Sequence, residues 1–175
     1  MPSRVDSFLR LLTASDFLHE LEMEEMRAKR GQCPLSLVLF SPGFRNKNGK
    51  EAEERELIRC IGTHASPCDS LGFLPKTRYA LLLPGTGVFG ARKIAESILQ
   101  SLEQAGCPCA TGIAGAELPE NTRAETLLQQ AITALRQNPD QNSAINVYRE
   151  QAEKLSLRKT LVHSHEKRFL FSGGE

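Results

Sequence analysis

The sequence has no tryptophan, few aromatic residues and almost no net charge. Its formal net charge is +1 at pH 7, and 6% of its residues are aromatic. A near-neutral chain is not drawn to nucleic acid or to anionic membranes by its overall field. Ferredoxin-like proteins that bind RNA stack bases on sheet aromatics, and no segment of this chain is rich in them. We therefore expect no nucleic-acid partner, and electrostatic specificity must come from local clusters of charge.

Long apolar runs and a disulfide framework are also missing. No stretch approaches the ~20 apolar residues of a membrane span, and the N-terminus lacks the apolar core of a signal peptide. The chain has an odd number of cysteines and no C-x-x-C pair: Cys33, Cys60, Cys68, Cys107 and Cys109. Cys107-Pro108-Cys109 stands alone, whereas a zinc site takes about four ligands. We predict reduced thiols in a cytoplasmic protein without membrane contact.

The spacing of apolar residues predicts alternating helices and strands. Large apolar residues at helical spacing predict an amphipathic helix from Val5 to Arg30, with a break near Thr13 to Asp16. Further helices are predicted at 51–62, 88–104 and 122–137, and strands at 35–40, 70–74, 79–83, 107–114 and 144–148. This order predicts an α+β fold with a ferredoxin-like, palm-type βαββαβ core, in which helices flank a mixed antiparallel sheet.

The length fits one domain with additional segments at both ends. We place the domain at 12–150, a helical lead-in at 1–11, and a C-terminal extension or linker at 151–175. Within the extension, Arg168-Phe169-Leu170-Phe171 has the composition of an extra strand.

Three motifs occur in a fixed order along the chain. They are Arg27–Arg30 with Pro34–Leu39, Arg78–Pro84 with the helix that contains Ala95-Glu96-Ser97-Ile98, and Ala110–Ala114 followed by the helix at 127–135. In this order and spacing they resemble the bacterial GGDEF family of diguanylate cyclases over roughly residues 12–148. The resemblance implies the palm-like fold of that family and a role in cyclic di-GMP signalling. Active members join two GTP molecules by metal-assisted phosphoryl transfer.

The residues that the family uses for catalysis are replaced. On the family pattern, the G-G-D-E-F signature falls on Pro75-Lys76-Thr77-Arg78-Tyr79, so both glycines and both carboxylates are missing. The first-strand metal aspartate falls on Ser41, the next aspartate on Gly43 and a phosphate-binding lysine on Pro139. Mg²⁺ is usually bound through carboxylates, and the guanidinium of Arg78 repels a cation. The resemblance therefore implies a degenerate domain with no catalytic residue, no metal and no cofactor.

Other binding positions of the family are partly retained. Asn48 matches the guanine-binding asparagine of the F-K-x-x-N-D motif, and Glu54 lies where the family has an aspartate, across a loop about three residues shorter. The inhibitory R-x-x-D site reads Ser66-Pro67-Cys68-Asp69, which keeps the aspartate and loses the arginine that would contact phosphate and guanine. Asn48 before glycine is more typical of a turn residue, and Asp69 without the arginine is more typical of a turn or capping residue. We expect no tight binding of cyclic di-GMP.

Functions of different classes remain open. The leading hypothesis is a catalytically inactive regulatory module that acts through a protein partner or an adjacent signalling domain, with the amphipathic segment 7–26 as a candidate contact. The alternative is metal-free binding of GTP or a related phosphate ligand by basic and polar side chains near the signature: Arg45, Lys47, Asn48, Lys50, Lys76 and Arg78. Residual synthesis of cyclic di-GMP from GTP is the least favoured.

Overall fold

The computed structural model describes residues 9–43, 50–76, 78–117, 122–137 and 145–148, which form three layers with a six-stranded sheet in the middle. The strands are β1 (Leu11–Leu12), β2 (Leu35–Pro42), β3 (Ser70–Leu74), β4 (Arg78–Pro84), β5 (Cys109–Ala116) and β6 (Ile145–Val147). The helices are α1 (Ala14–Gly31), α2 (Lys50–His64), α3 (Val88–Gln104) and α4 (Ala124–Arg136). None of the helices in these ranges combines the length and apolarity needed to cross a membrane.

The sheet order is β1-β3-β4-β2-β5-β6. The central strands β3, β4, β2 and β5 pair with one another in antiparallel fashion, whereas β1 runs parallel to β3 and β6 runs parallel to β5. The predicted α+β fold with a mixed sheet and a βαββαβ core is therefore confirmed. The predicted hairpin, the helix at 88–104 and the strand at 35–40 agree with the structure to within two residues at each end.

Alternate residues of the central strands bury two apolar cores, one on each face of the sheet. The first core lies under α2 and α3 and includes Val38, Phe40, Tyr79, Leu81 and Ile113. The second lies under α1 and α4 and includes Leu37, Leu39, Ala80, Leu82 and Ala114. Strands β2 and β4 are buried on both faces because each face is covered by helices, which explains their nearly continuous apolar sequences.

The beginning of the chain differs from the helix predicted from Val5 to Arg30. Leu11–Leu12 form a strand, and α1 begins at Ala14. The N-cap is Thr13: its hydroxyl accepts a hydrogen bond from the backbone N–H of Asp16 at 3.2 Å. The prediction of a break in this region is confirmed, but the lead-in is not helical at its end. Residues 1–8 and 149–175, which contain the rest of the predicted lead-in and the predicted extra strand, lie outside the described residues.

The buried stripe of α1 is narrower than the sequence pattern predicts. Phe17, Leu21 and Ala28 are buried, whereas Leu18 and Met26 remain 41% and 51% exposed. Both of these residues lie well off the direction of the buried stripe at 100° per residue. The helix therefore presents apolar side chains to solvent as well as to the sheet.

Candidate functional site

The hairpin between β3 and β4 carries the signature positions. Leu74 pairs with Arg78 at its base, and Pro75 and Lys76 are exposed in the turn. Lys76 has a φ of 65°, a left-handed conformation that costs a residue other than glycine roughly 1–2 kcal/mol. The turn thus keeps a glycine-like backbone at the position of the family's second glycine. Thr77, like Arg45, Asn48 and the other loop residues between 44 and 49, lies outside the described residues.

The end of β2 meets the start of β4 at the base of this hairpin. Phe40 pairs with Tyr79, and both side chains belong to the core under α2 and α3. Ser41 and Arg78 are each one residue further along the two antiparallel strands, so they face the opposite side, toward α1 and α4. Ser41 pairs on its other side with Ala110, which is buried in the core on that side. Ser41 and Arg78, which the family resemblance aligns with a metal aspartate and a signature carboxylate, therefore lie in one row of the sheet.

The electrostatic environment of Arg78 is unfavourable to its charge. Arg78 is half-buried, and Arg136 in the last turn of α4 lies near it. Burial, followed by repulsion from Arg136, lowers the pKa of Arg78. Within the described ranges neither guanidinium forms an ion pair; the pairs found there are Arg27–Glu20, Arg27–Glu24, Lys29–Glu25, Arg59–Glu56 and Arg92–Glu96. The two arginines thus form a small positive cluster without a described carboxylate partner.

Gly112 allows the end of α4 to lie close to the sheet. A Cβ atom at Gly112 would lie 2.5 Å from the backbone N of Leu135 and 2.6 Å from the carbonyl O of Ala131. Glycine therefore allows the helix backbone to rest directly on β5. Gly112 pairs with Leu39, two residues before Ser41 on β2. The contact consequently holds the last turn of α4, which carries Arg136, directly against β5.

Tyr79, the residue after Arg78, lies on the opposite face of the sheet, in the core under α2 and α3. Its side chain is fully buried, and its hydroxyl donates a hydrogen bond to Glu54 Oε1 of α2 at 2.5 Å. Burial, and then this carboxylate, raise the pKa of Tyr79. The ring also contacts Phe73, with 5.2 Å between the ring centroids. Glu54, at a position where the family resemblance implies guanine binding, is thus already engaged by the protein's own tyrosine.

Asp69, which the family resemblance aligns with the inhibitory site, closes a turn between α2 and β3. Its Oδ2 accepts a hydrogen bond from the backbone N–H of Ser66 at 2.6 Å, and its own N–H donates to the Ser66 carbonyl at 3.0 Å. Aspartate commonly stabilises turns in this way. The carboxylate is therefore used for local folding.

The side chains of this region do not suit a divalent metal. At the row described above they are the hydroxyl of Ser41 and the guanidinium of Arg78, whereas Mg²⁺ requires oxygen ligands that usually include carboxylates. Elsewhere in the described part of the chain, no three His, Cys, Asp or Glu side chains are grouped so that they could hold a metal ion. The arrangement instead offers hydrogen-bond donors and positive charge.

Two carboxylates that the sequence analysis did not identify cap helices from distant elements. Glu117 Oε1 accepts a hydrogen bond from the backbone N–H of Val88 at 3.0 Å, at the start of α3. Glu25 Oε2 accepts one from the N–H of Ala124 at 2.6 Å, at the start of α4. The N-cap residues of these helices supply no capping side chain. Glu25 therefore links α1 to α4 and helps to fix the helix that carries Arg136.

Comparison with solved structures identifies the fold. The active GGEEF domain of a diguanylate cyclase from Vibrio cholerae superposes with a TM-score of 0.70 and 17% identity, over 79% of this chain and 98% of that one. The GGDEF domain of DgcB from Caulobacter crescentus, in complex with c-di-GMP, gives 0.69 and 14%, over 85% and 96%. The diguanylate cyclase SiaD from Pseudomonas aeruginosa, in complex with its activator SiaC, gives 0.68 and 16%, over 78% and 58%. No protein-family model and no curated protein sequence matches the chain.

Proposed function

We propose that this chain, which has the fold of GGDEF diguanylate cyclase domains, is a catalytically inactive regulatory module that acts through a protein partner. The observation that carries the proposal is Arg78. Its guanidinium stands at a signature position where the family resemblance implies a carboxylate, in one row with Ser41 and near Arg136.

The chemistry supports this proposal because the cyclase reaction depends on neutralising phosphate charge with divalent metal. A guanidinium within about 4 Å of a metal site at a partly exposed position disfavours a cation by on the order of a few kcal/mol. Ser41 supplies a neutral oxygen in place of a charged ligand. Loss of the negative ligands and gain of a positive charge act in the same direction, so we expect Mg²⁺ not to bind here.

A protein partner is supported by surface features and by the family likeness. Helix α1 exposes Leu18 and Met26, and α3 exposes Phe89. SiaD, a cyclase of the same fold, is known in complex with an activator protein.

Thermal denaturation of the full chain tests the proposal. GTP, GDP and cyclic di-GMP are each added with and without Mg²⁺, since a ligand that binds the native state raises the melting temperature. We expect no shift that depends on Mg²⁺ and none with cyclic di-GMP. A shift with GTP that requires Mg²⁺ contradicts the proposal.

A second candidate function, metal-free binding of GTP or a related phosphate ligand, is favoured by one specific observation. Arg78 and Arg136 approach each other without forming an ion pair to any carboxylate of the described residues. Basic side chains bind phosphates without a metal. A thermal shift with GTP in the presence of EDTA distinguishes this function from a purely protein-binding role.

A further inference from the structure

We propose that the segment Phe169-Leu170-Phe171 of the same molecule docks on an exposed apolar edge of the sheet, formed by Leu11 of β1 and Phe73 of β3. This inference goes beyond the proposed function, because it concerns the sheet edge and the C-terminal extension instead of the signature positions. It gives the apolar quartet at 168–171 a partner within the domain.

Two of the exposed large apolar side chains lie side by side at this edge. Leu11 and Phe73 are each 39% exposed. Leu11 pairs with Leu71, and Phe73 follows Leu71 by two residues, so all three side chains point to the same face of the sheet. Leu71 is buried in the core under α2 and α3, and the Phe73 ring lies 5.2 Å from the ring of Tyr79 in that core. The core therefore continues to the sheet edge and ends there as an apolar patch.

The backbone at this edge is incompletely paired. Strand β1 is the outermost strand and is only two residues long. It pairs with Leu71 and Gly72, and none of the described strands pairs with Phe73 or Leu74 on that side. Proteins usually cover such an edge, because unpaired strand backbone attracts another strand. An extended segment with apolar side chains on one side suits both the patch and the free backbone groups.

The segment 169–171 has the spacing that this edge requires. In an extended chain Phe169 and Phe171 point to one side and Leu170 to the other, with roughly 7 Å between the Cα atoms of the two phenylalanines. One strand spacing and two residues of rise separate Leu11 from Phe73, a distance of roughly 8 Å. Each phenylalanine can therefore cover one of the two exposed side chains.

The start of α2 makes one end of the patch acidic. Residues 50–56 contain four glutamates and two basic residues. Among them, Glu54 accepts the hydrogen bond from the hydroxyl of Tyr79, whose ring contacts Phe73. The negative charge of α2 therefore lies at the Phe73 end of the patch.

This charge indicates the direction of the docked segment. Lys167 and Arg168 immediately precede the first phenylalanine. When Phe169 covers Phe73 and Phe171 covers the leucine of β1, the two basic residues lie toward the acidic start of α2, where opposite charges attract. The segment then runs antiparallel to β3.

The chain after the last described strand is long enough for this contact. Strands β6 and β1 are opposite edges of the six-stranded sheet, about 24 Å apart. Phe169 is 21 residues after Tyr148, a length that reaches about 70 Å when extended and can pass around a layer of helices. Leu155 and Leu157 have the same alternate spacing, but Leu155 is only 7 residues after Tyr148 and reaches about 25 Å. These two leucines therefore provide a matched control.

Hydrogen–deuterium exchange of the full chain, measured on peptides by mass spectrometry, tests the proposal. The wild type is compared with Phe169→Ser/Phe171→Ser and with the control Leu155→Ser/Leu157→Ser. We expect the amides of residues 9–12 to exchange about tenfold faster or more in the phenylalanine variant, because an uncovered edge opens more readily. The leucine control should exchange like the wild type. Unchanged exchange of 9–12 in the phenylalanine variant, or equal acceleration in both variants, overturns the inference.

A reciprocal substitution tests the same contact from the domain. Leu11→Ser should accelerate exchange of residues 168–171 by about tenfold or more. Leu18→Ser is its control, because Leu18 is exposed to a similar extent, 41%, but lies on α1. A wild type in which 168–171 exchange as fast as an unstructured peptide contradicts the docking.

Sedimentation velocity distinguishes docking within one molecule from exchange of the segment between two copies. We expect the wild type and the phenylalanine variant to sediment with the same mass. A wild-type dimer that dissociates in the phenylalanine variant places the segment on a second copy and overturns its assignment to the same molecule.

Discussion

The hydroxyl of Tyr79 in β4 donates a hydrogen bond to the carboxylate of Glu54 in α2, 25 residues earlier in the chain. Tyr79 is the last signature residue, and its side chain is fully buried. The hydrogen bond therefore links the base of the β3–β4 hairpin to α2. The protein itself, rather than a ligand, satisfies the polar groups at this position.

Replacing Tyr79 by phenylalanine should destabilise the protein without changing its fold. The substitution removes the hydroxyl that is buried against Glu54, and a net loss of about 1 kcal/mol is expected for one such hydrogen bond. Urea unfolding followed by circular dichroism measures it. Tyr148→Phe is the matched control, because Tyr148 is only half-buried and packs against the core under α1 and α4; we expect its unfolding free energy to change less.

The difference between wild type and Tyr79→Phe should also depend on pH. The pKa of Tyr79 is raised in the folded state, so the hydroxyl contributes stability that is fully present below the unfolded value of about 10. Above this pH the unfolded tyrosine ionises while the buried one does not, and the difference should shrink as the pH rises. A difference that stays constant from pH 8 to pH 11 would show that the hydroxyl is not buried in this way.

Glu25 provides a test of the link between α1 and α4. Burial by itself would raise the pKa of Glu25, but hydrogen bonds from Lys29 and from the N–H of Ala124 outweigh it and lower the pKa. Glu25→Gln should therefore cost about 1 kcal/mol at pH 7. Because the folded pKa is depressed, this stability is present above the unfolded value of about 4.3 and is lost as the pH falls through the folded value.

Glu96→Gln is the control for that experiment. Glu96 and its partner Arg92 are both more than half exposed, and an exposed ion pair contributes little to stability. Chemical denaturation at pH 7 and at pH 3 should show a loss for Glu25→Gln at pH 7 only. Equal effects of the two substitutions would argue against the capping role of Glu25.

Gly112→Ala should displace α4 from the sheet. The added Cβ would meet backbone atoms of Leu135 and Ala131 at 2.5 and 2.6 Å, and backbone cannot rotate away as a side chain can. We expect a loss of about 1–3 kcal/mol in unfolding free energy. Gly62→Ala in α2 has no atom within 4 Å of the new Cβ and should instead stabilise the protein by up to about 1 kcal/mol.

The sequence predicts the architecture well because the strands and helices have strong periodic patterns. Strand β2 is continuously apolar, and α3 repeats buried residues at helical spacing with Ala91, Ala95, Ile98 and Leu102. The prediction is wrong at β1, whose two leucines fit helical spacing as well as an edge strand. Pairing with β3 decides between the two, and pairing is a long-range interaction that a local pattern does not contain.

The sequence identifies only some of the residues of the candidate site. The family resemblance identifies Arg78 and Ser41, but it does not identify Arg136, which lies 58 residues after Arg78 and whose charge lowers the pKa of Arg78. The hydrogen bond from Tyr79 to Glu54 was likewise not predicted, although both residues had been singled out. A basic residue in the last turn of a helix is too common a feature to indicate a site.

Incubation of the purified full chain with GTP and Mg²⁺, followed by chromatographic analysis for cyclic di-GMP, tests the central claim most directly. The account predicts no product, because a serine and an arginine occupy positions at which the family resemblance implies metal-binding carboxylates. Formation of cyclic di-GMP that depends on Mg²⁺ and persists through repeated purification would contradict it.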